Sequence, residues 1–131
     1  MSNMEPAELQ SNWRKAIIEE LHTLSSVEKQ LEYQRIVPFV NVTVELVCGW
    51  FDDHYHPESK DFVAQFSTQE LMALAKFNQL FDDILDSDAM RGESPQIEDL
   101  IKTREWKRLT QEAAQTLEFL NVTTAKTDQQ R

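Results

Sequence analysis

The chain has one cysteine, Cys48, two glycines and four prolines in 131 residues. A single thiol excludes an intrachain disulfide framework and a multi-cysteine zinc site. Two glycines leave no material for a glycine-rich phosphate loop, and no P-loop, dinucleotide fingerprint or nucleophile elbow is present. The same scarcity argues against a β-sandwich with its many tight turns. No window reaches the roughly 18 uninterrupted apolar residues of a membrane span. The richest stretch, Ile36 to Phe51, is broken by Asn41, Glu45 and Gly49. Met1 to Glu8 contains no basic stretch followed by an apolar run, so no signal peptide is expected and the cytoplasm is the expected location. Basic side chains are scarce too: 13 Lys and Arg stand against 23 Asp and Glu, a net charge of −10. Phosphate contacts need a cationic surplus, so neither nucleic acid nor an anionic membrane is expected as a partner.

What remains is 40% hydrophobic and 9% aromatic, enough for one packed core at the size of one domain. Leu9, Trp13, Ile17, Leu21 and Leu24 recur every three or four residues and predict a helix from Pro6 to about Leu24. Pro6 suits the first helical position. Ser25-Ser26-Val27-Glu28 reads as a capping box opening a second helix, with Val27, Leu31 and Ile36 inward and Pro38 beyond its end. Ser67 with Glu70 is a second capping box, inside a staple of Phe66 with Leu71, and opens a helix over about 68–86. Residues 87–94 read as a loop. Ser94-Pro95 restarts a helix as cap and first residue. Ile97, Leu100 and Ile101 give it an apolar face, which Trp106, Leu109, Ala113, Leu117 and Leu120 extend after a bend near Thr103.

The stretch 36–51 is ambiguous. Val40, Val42, Val44 and Leu46 alternate as a half-buried strand would. Asn41, Glu45, Gly49 and Asp52 instead draw a polar stripe down an otherwise apolar helix, with Cys48 and Trp50 in the core. A helix fits the length better. The expected fold is therefore an all-α compact bundle of about five helices over residues 6–120, with a polar tail at 121–131. The alternative is an α+β fold with a small hairpin pairing 42–51 with 62–66.

Charge is unevenly distributed. Residues 45–99 carry 13 acidic and 3 basic side chains, so the whole net charge of −10 lies in the middle of the chain. Two clusters dominate: Asp52, Asp53, Glu58 and Asp61, then Asp82, Asp83, Asp86 and Asp88. A solvated face is one reading of such a belt. A docking face for a basic protein is the sharper one, because complementary potentials speed encounter and reject wrong partners. Phe51 and Tyr55 are interleaved with the first cluster and are of the type that anchors interfaces.

Catalytic patterns are weak. His54 and His56 with Asp52, Asp53 and Cys48 could supply metal ligands, yet on a helix a His-x-His pair diverges by about 200°. Asp82 and Asp83 diverge by about 100°, too far for a shared-proton dyad. No cofactor and no metal are expected.

The run Glu45-Leu46 … Trp50-Phe51-Asp52-Asp53-x-Tyr55-x-Pro57, followed by Phe62-x3-Phe66-Ser67-x2-Glu70-Leu71-x2-Leu74-x2-Phe77-Asn78-x2-Phe81-Asp82, resembles small acidic bacterial immunity proteins of contact-dependent growth inhibition type. Trp106, Ala113 and Leu117 fit the same pattern. The resemblance covers roughly residues 36–120. It implies a non-enzymatic protein that binds one cognate toxin, commonly a nuclease, and blocks it. The expected partner-binding residues are then Phe51, Asp52, Asp53, Tyr55, Glu58, Asp82, Asp83 and Asp86. The alternatives are a small metal-dependent enzyme or sensor using His54 and His56, and a regulatory adaptor module.

Overall fold

A computed structural model of the chain describes residues 6–90 and 95–129, with side chains over 13–90 and 95–122. Among the described residues it is all-α, with no strand. The helices are α1 (Pro6–Leu24), α2 (Val27–Ile36), α3 (Val42–Cys48), α4 (Lys60–Val63), α5 (Thr68–Leu85), α6 (Ile97–Leu100) and α7 (Arg104–Gln129). A π-helical segment, Gly49–His54, continues α3, and a 3-10 turn, Asp88–Met90, follows α5. Five helices have seven residues or more, the number expected. No described helix is long and apolar enough to cross a membrane.

α1 and α5 both pack on α7. α1 also meets α2, α4 and the π segment, while α2 and α3 both meet α6. α1 buries Ile17, Leu21 and Leu24 completely, as its stripe requires; the Leu9 side chain lies outside the described residues. α5 turns Leu74, Phe77, Phe81 and Ile84 inward, and α7 turns Trp106, Leu109, Ala113, Leu117 and Leu120. Leu120 is the last buried side chain described, although the α7 backbone stays helical to Gln129. An aromatic chain runs through the core: Phe66–Phe62–Tyr55–Trp50–Phe77–Phe81–Trp106, with neighbouring ring centroids 4.9–6.1 Å apart.

The expected capping box of α5 is present. Ser67 Oγ accepts from Glu70 N, and Ser67 N donates to Glu70 Oε1 at 2.8 Å. Glu70 also takes a two-pronged contact from Arg14 of α1, at 2.9 and 2.7 Å. The same guanidinium donates to the carbonyls of Gln65 and Leu120, so one side chain ties α1, the entry to α5 and α7 together. Burial alone would raise the Glu70 carboxyl, but Arg14 and Ser67 outweigh it and hold it below the ordinary carboxylate range.

Residues 42–51 are helical, so the hairpin with 62–66 does not form. Asn41 Oδ1 accepts from Val44 N and caps α3, after which Val42, Leu46 and Trp50, four apart, face the core. Burial at helical spacing overrides the β preference of valine. Cys48, expected in the core, is exposed. The helix after the loop begins at Ile97 with Gln96 at its N-cap, not at Pro95; Ser94 lies outside the described residues. The bend near Thr103 is real: its hydroxyl donates to Leu100 O and accepts from Trp106 N, closing α6 and opening α7.

α2 departs furthest from its apolar pattern. Ser26, not Ser25, is its N-cap, accepting from Lys29 N. Its buried side chains are Gln30 and Gln34, whereas Leu31 lies at the exposed boundary and Ile36 is 66% exposed. The reason is hydrogen bonding. Gln30 Nε2 donates to the carbonyls of Thr23 and Leu24 at the α1 C-terminus, and Gln30 Oε1 accepts from Trp106 Nε1 at 2.9 Å. Gln34 Nε2 donates to Val37 O and Val40 O, and its Oε1 accepts from Val42 N. The Leu24 carbonyl, the Val42 N–H and the Trp106 indole N–H are buried, and need partners more than the helix needs an apolar face.

Replacing Gln30 by leucine keeps the volume but strands an indole N–H and removes a donor from two carbonyls. Gln30→Leu should cost on the order of 3 kcal/mol in urea unfolding, while Ile36→Gln should stay within about 0.5 kcal/mol. The reverse order would mean that α2 is turned the other way.

Candidate functional site

The expected site residues lie on two elements that touch. The π segment carries Phe51, Asp52 and Asp53, and the last turn of α5 carries Asp82 and Asp83, with Asp86 as its C-cap. The Phe51 ring packs on Phe81 at 5.0 Å, which sets the elements side by side. Asp52, Asp53, Glu58, Asp61, Asp82, Asp83, Asp86 and Asp88 are all exposed. Among the described residues Asp52, Asp53, Asp61, Asp82, Asp83 and Asp86 make no ion pair. Fold stability does not require such an arrangement. Carboxylates in the last turn of α5 oppose the helix dipole, and no base there offsets them.

The structure also separates members of the set. Asp83 accepts from Gln79 and lines a groove of about 460 Å³ between α5 and α7, beside Lys76, Arg108, Glu105 and Glu112. That groove has mixed charge, unlike the surface at Asp52 and Asp53. Phe51 and Tyr55 are half-buried rather than free. Tyr55 stacks on Trp50 at 5.1 Å with 13° between planes and meets the Phe62 edge at 5.7 Å. Burial first, then Glu58, raises its phenol above the ordinary value of 10. Trp50 in turn donates from Nε1 to Asn78 Oδ1 on α5.

The two histidines turn to different partners. His54 Nε2 lies 3.6 Å from Glu20 Oε2 on α1. His56 has Nε2 on the Asp53 carbonyl at 3.1 Å, Nδ1 on Glu58 Oε1 at 3.2 Å and its ring against Trp13. No group of three or more metal-ligating side chains occurs among the described residues. Glu58 is held below its ordinary value, mainly by its own backbone N–H and then by His56. Cys48 is a poor nucleophile: desolvation, then Asp52 and Glu45, raise its thiol.

Pattern reading missed Glu20 and the π turn. Tyr55 N donates to Trp50 O, five residues back, so the segment carries one extra residue per turn. Gly49 opens it and lies against Glu20: a Cβ there would sit 3.0 Å from Glu20 Oε1. A side chain at position 49 would therefore push the Glu20 carboxyl aside by a few tenths of an ångström. Glu20 Oε1 is buried without a hydrogen-bond partner, and burial followed by the Asp53 charge raises its carboxyl from 4.5 to about 7. The packing thus forces a carboxyl into contact with the inner side of an acidic turn.

No family model, curated protein or solved structure matches this chain.

Two measurements check this geometry. Tyr55→Ala should destabilise the fold by about 2 kcal/mol, because it removes a stack on the buried Trp50; unchanged stability would make Tyr55 a surface residue. Glu20 keeps its proton to about pH 7 when folded and loses it near 4.5 when unfolded. Its contribution is therefore full below about 4.5 and lost as pH rises through 7. Glu20→Gln should match the wild type near pH 4.5 and exceed it at pH 8 by up to about 3 kcal/mol in urea melts. A less stable variant at pH 8 would mean that ionised Glu20 pairs productively with His54.

Proposed function

We propose that this protein is an immunity-type inhibitor that acts in the cytoplasm, binding a basic cognate toxin, most simply a nuclease, through its acidic face. The observation that carries the reading is that Asp52, Asp53, Asp82 and Asp86, borne by two elements in contact, are exposed and make no ion pair among the described residues. Charge left uncompensated by the fold is available to a partner. A nuclease must display Lys and Arg to hold phosphates, so an acidic protein surface can compete for that cleft. The resemblance of residues 36–120 to small acidic immunity proteins supports the same reading. Asp52, Asp53, Glu58, Asp82, Asp83 and Asp86 form the steering charge. Phe51 and Tyr55 act from beneath, holding the π segment to α5 and to Trp50.

The test is coexpression with the basic product of the adjacent gene, followed by kinetics on the purified pair. Growth should be rescued and a complex recovered. Changing Asp52 and Asp53 to Asn and Glu58 to Gln should slow association about tenfold at low salt and flatten its salt dependence, with a smaller change in dissociation. If that variant associates like the wild type while Asn at 82, 83 and 86 abolishes binding, the contact lies on α5. If neither set alters association at low salt, the acidic belt is a solvated surface and the reading fails.

A further inference from the structure

The α2 geometry leaves an unusual surface behind. With Gln30 and Gln34 turned inward, the opposite side of α2 and the turn after it must face solvent. Five of the eight exposed large hydrophobics among the described residues fall within 31–44: Leu31, Tyr33, Ile36, Phe39 and Val44. Phe39 is 84% exposed and Ile36 66%. Isolated exposed apolar residues are ordinary, but Tyr33 and Ile36 share one side of α2, and Phe39 follows in the turn after it, which together mark a contact surface. Tyr33 and Ile36 are one turn apart and line the same shallow depression with Val37.

Charge identifies the occupant. From Ile36 to Ser59 the chain has no Lys or Arg and four acidic residues, Glu45, Asp52, Asp53 and Glu58. On α2 itself the charges of Glu28, Lys29, Glu32 and Arg35 sum to zero: Lys29 borders the depression, and Glu32 pairs with Arg35 at 2.7 Å. α2 packs on α3, where the exposed Val44 and Glu45 are adjacent, and the π segment that continues α3 carries the exposed Asp52 and Asp53. A second copy of this chain would bring those carboxylates against their own counterparts, and an anionic lipid surface would be repelled. A basic protein gains on both counts. Phe39 projects from a turn, so it is a knob and needs a hole.

We propose that Phe39 and Ile36 are the apolar anchors of the docking surface, entering a pocket on a folded basic protein whose Lys and Arg side chains meet Glu45, Asp52 and Asp53. This deepens the inhibitor reading and rests on its acidic face. It moves the anchor away from Tyr55, whose ring is committed to Trp50. Long-range charge brings the partner in, and burial of the Phe39 ring holds it.

The test places the photo-crosslinker p-benzoylphenylalanine at position 39 of the full chain, in cells that produce the protein. Positions 53 and 82 report on the acidic face. Position 72 is the background, because Met72 is also exposed, at 67% against 84% for Phe39, and lies outside the patch. The expected result is one basic protein captured at 39 above the background at 72, through a segment bearing Lys or Arg. With that protein purified, Phe39→Ala should weaken binding at least about tenfold and leave thermal stability unchanged. Capture of a second copy, of lipid or of nucleic acid at 39, or no excess over 72, overturns the proposal. So does unchanged affinity in Phe39→Ala. Capture of a basic protein at 53 or 82 but not at 39 rejects the anchor and keeps the acidic-face reading, whereas no capture at any of these positions rejects both.

Discussion

The bond between Gln30 and Trp106 is the constraint from which the outer surface of this protein follows. Trp106 is fully buried at the start of α7, and its indole N–H must find an acceptor or forfeit the cost of leaving water. Gln30 supplies it, and with its amide nitrogen closes the last carbonyls of α1. Gln34, one turn on, does the same for the turn into α3. Once both amides point inward, the rotation of α2 is fixed, and Tyr33 and Ile36 face outward. The core is satisfied by polar groups at one corner, and the apolar side chains displaced from it become surface.

A second constraint acts at the other end of the same surface. Glu20 projects from α1 against Gly49, and α3 continues beyond that point as a π turn. The extra residue lets Trp50 stay in the core while Asp52 and Asp53 face solvent. The buried carboxyl and the exposed ones sit on opposite sides of one turn. Below about pH 7 Glu20 is mainly neutral, because burial and then the Asp53 charge both disfavour its ionised form. The acidic turn is thus held in place by the packing of Phe51 on Phe81 and by its contact with Glu20, which His54 of the turn approaches at 3.6 Å.

Sequence patterns made the long helices legible because their signals are local. Pro6, the Ser67 and Glu70 box, and the Trp106 to Leu120 stripe each state a helix within a few residues of itself. The acidic middle was legible by counting alone. α2 was not, since a periodicity count of apolar residues cannot register that Gln30 answers an indole 76 positions away. A stretch that is apolar on most sides does not reveal its inward face: with Val42, Leu46 and Trp50 buried, Cys48 lies about 200° away and is exposed. The half-burial of Phe51 and Tyr55 is not legible either, because their ring partners, Phe81 and Trp50 with Phe62, are contacts that only the folded chain brings together. Phe39 drew no notice, as a lone aromatic beside Pro38 carries no pattern at all.

The orientation of α2 decides between an inert surface and an anchored one, and solvent accessibility by NMR reads it directly. A soluble paramagnetic gadolinium complex broadens resonances in proportion to their exposure. The account predicts strong broadening of the Ile36 methyls and the Phe39 ring, with the side-chain amides of Gln30 and Gln34 and the indole N–H of Trp106 left sharp. Sharp Ile36 and Phe39 signals beside broadened Gln30 and Gln34 amides would show α2 turned with its apolar side inward, and would contradict the account.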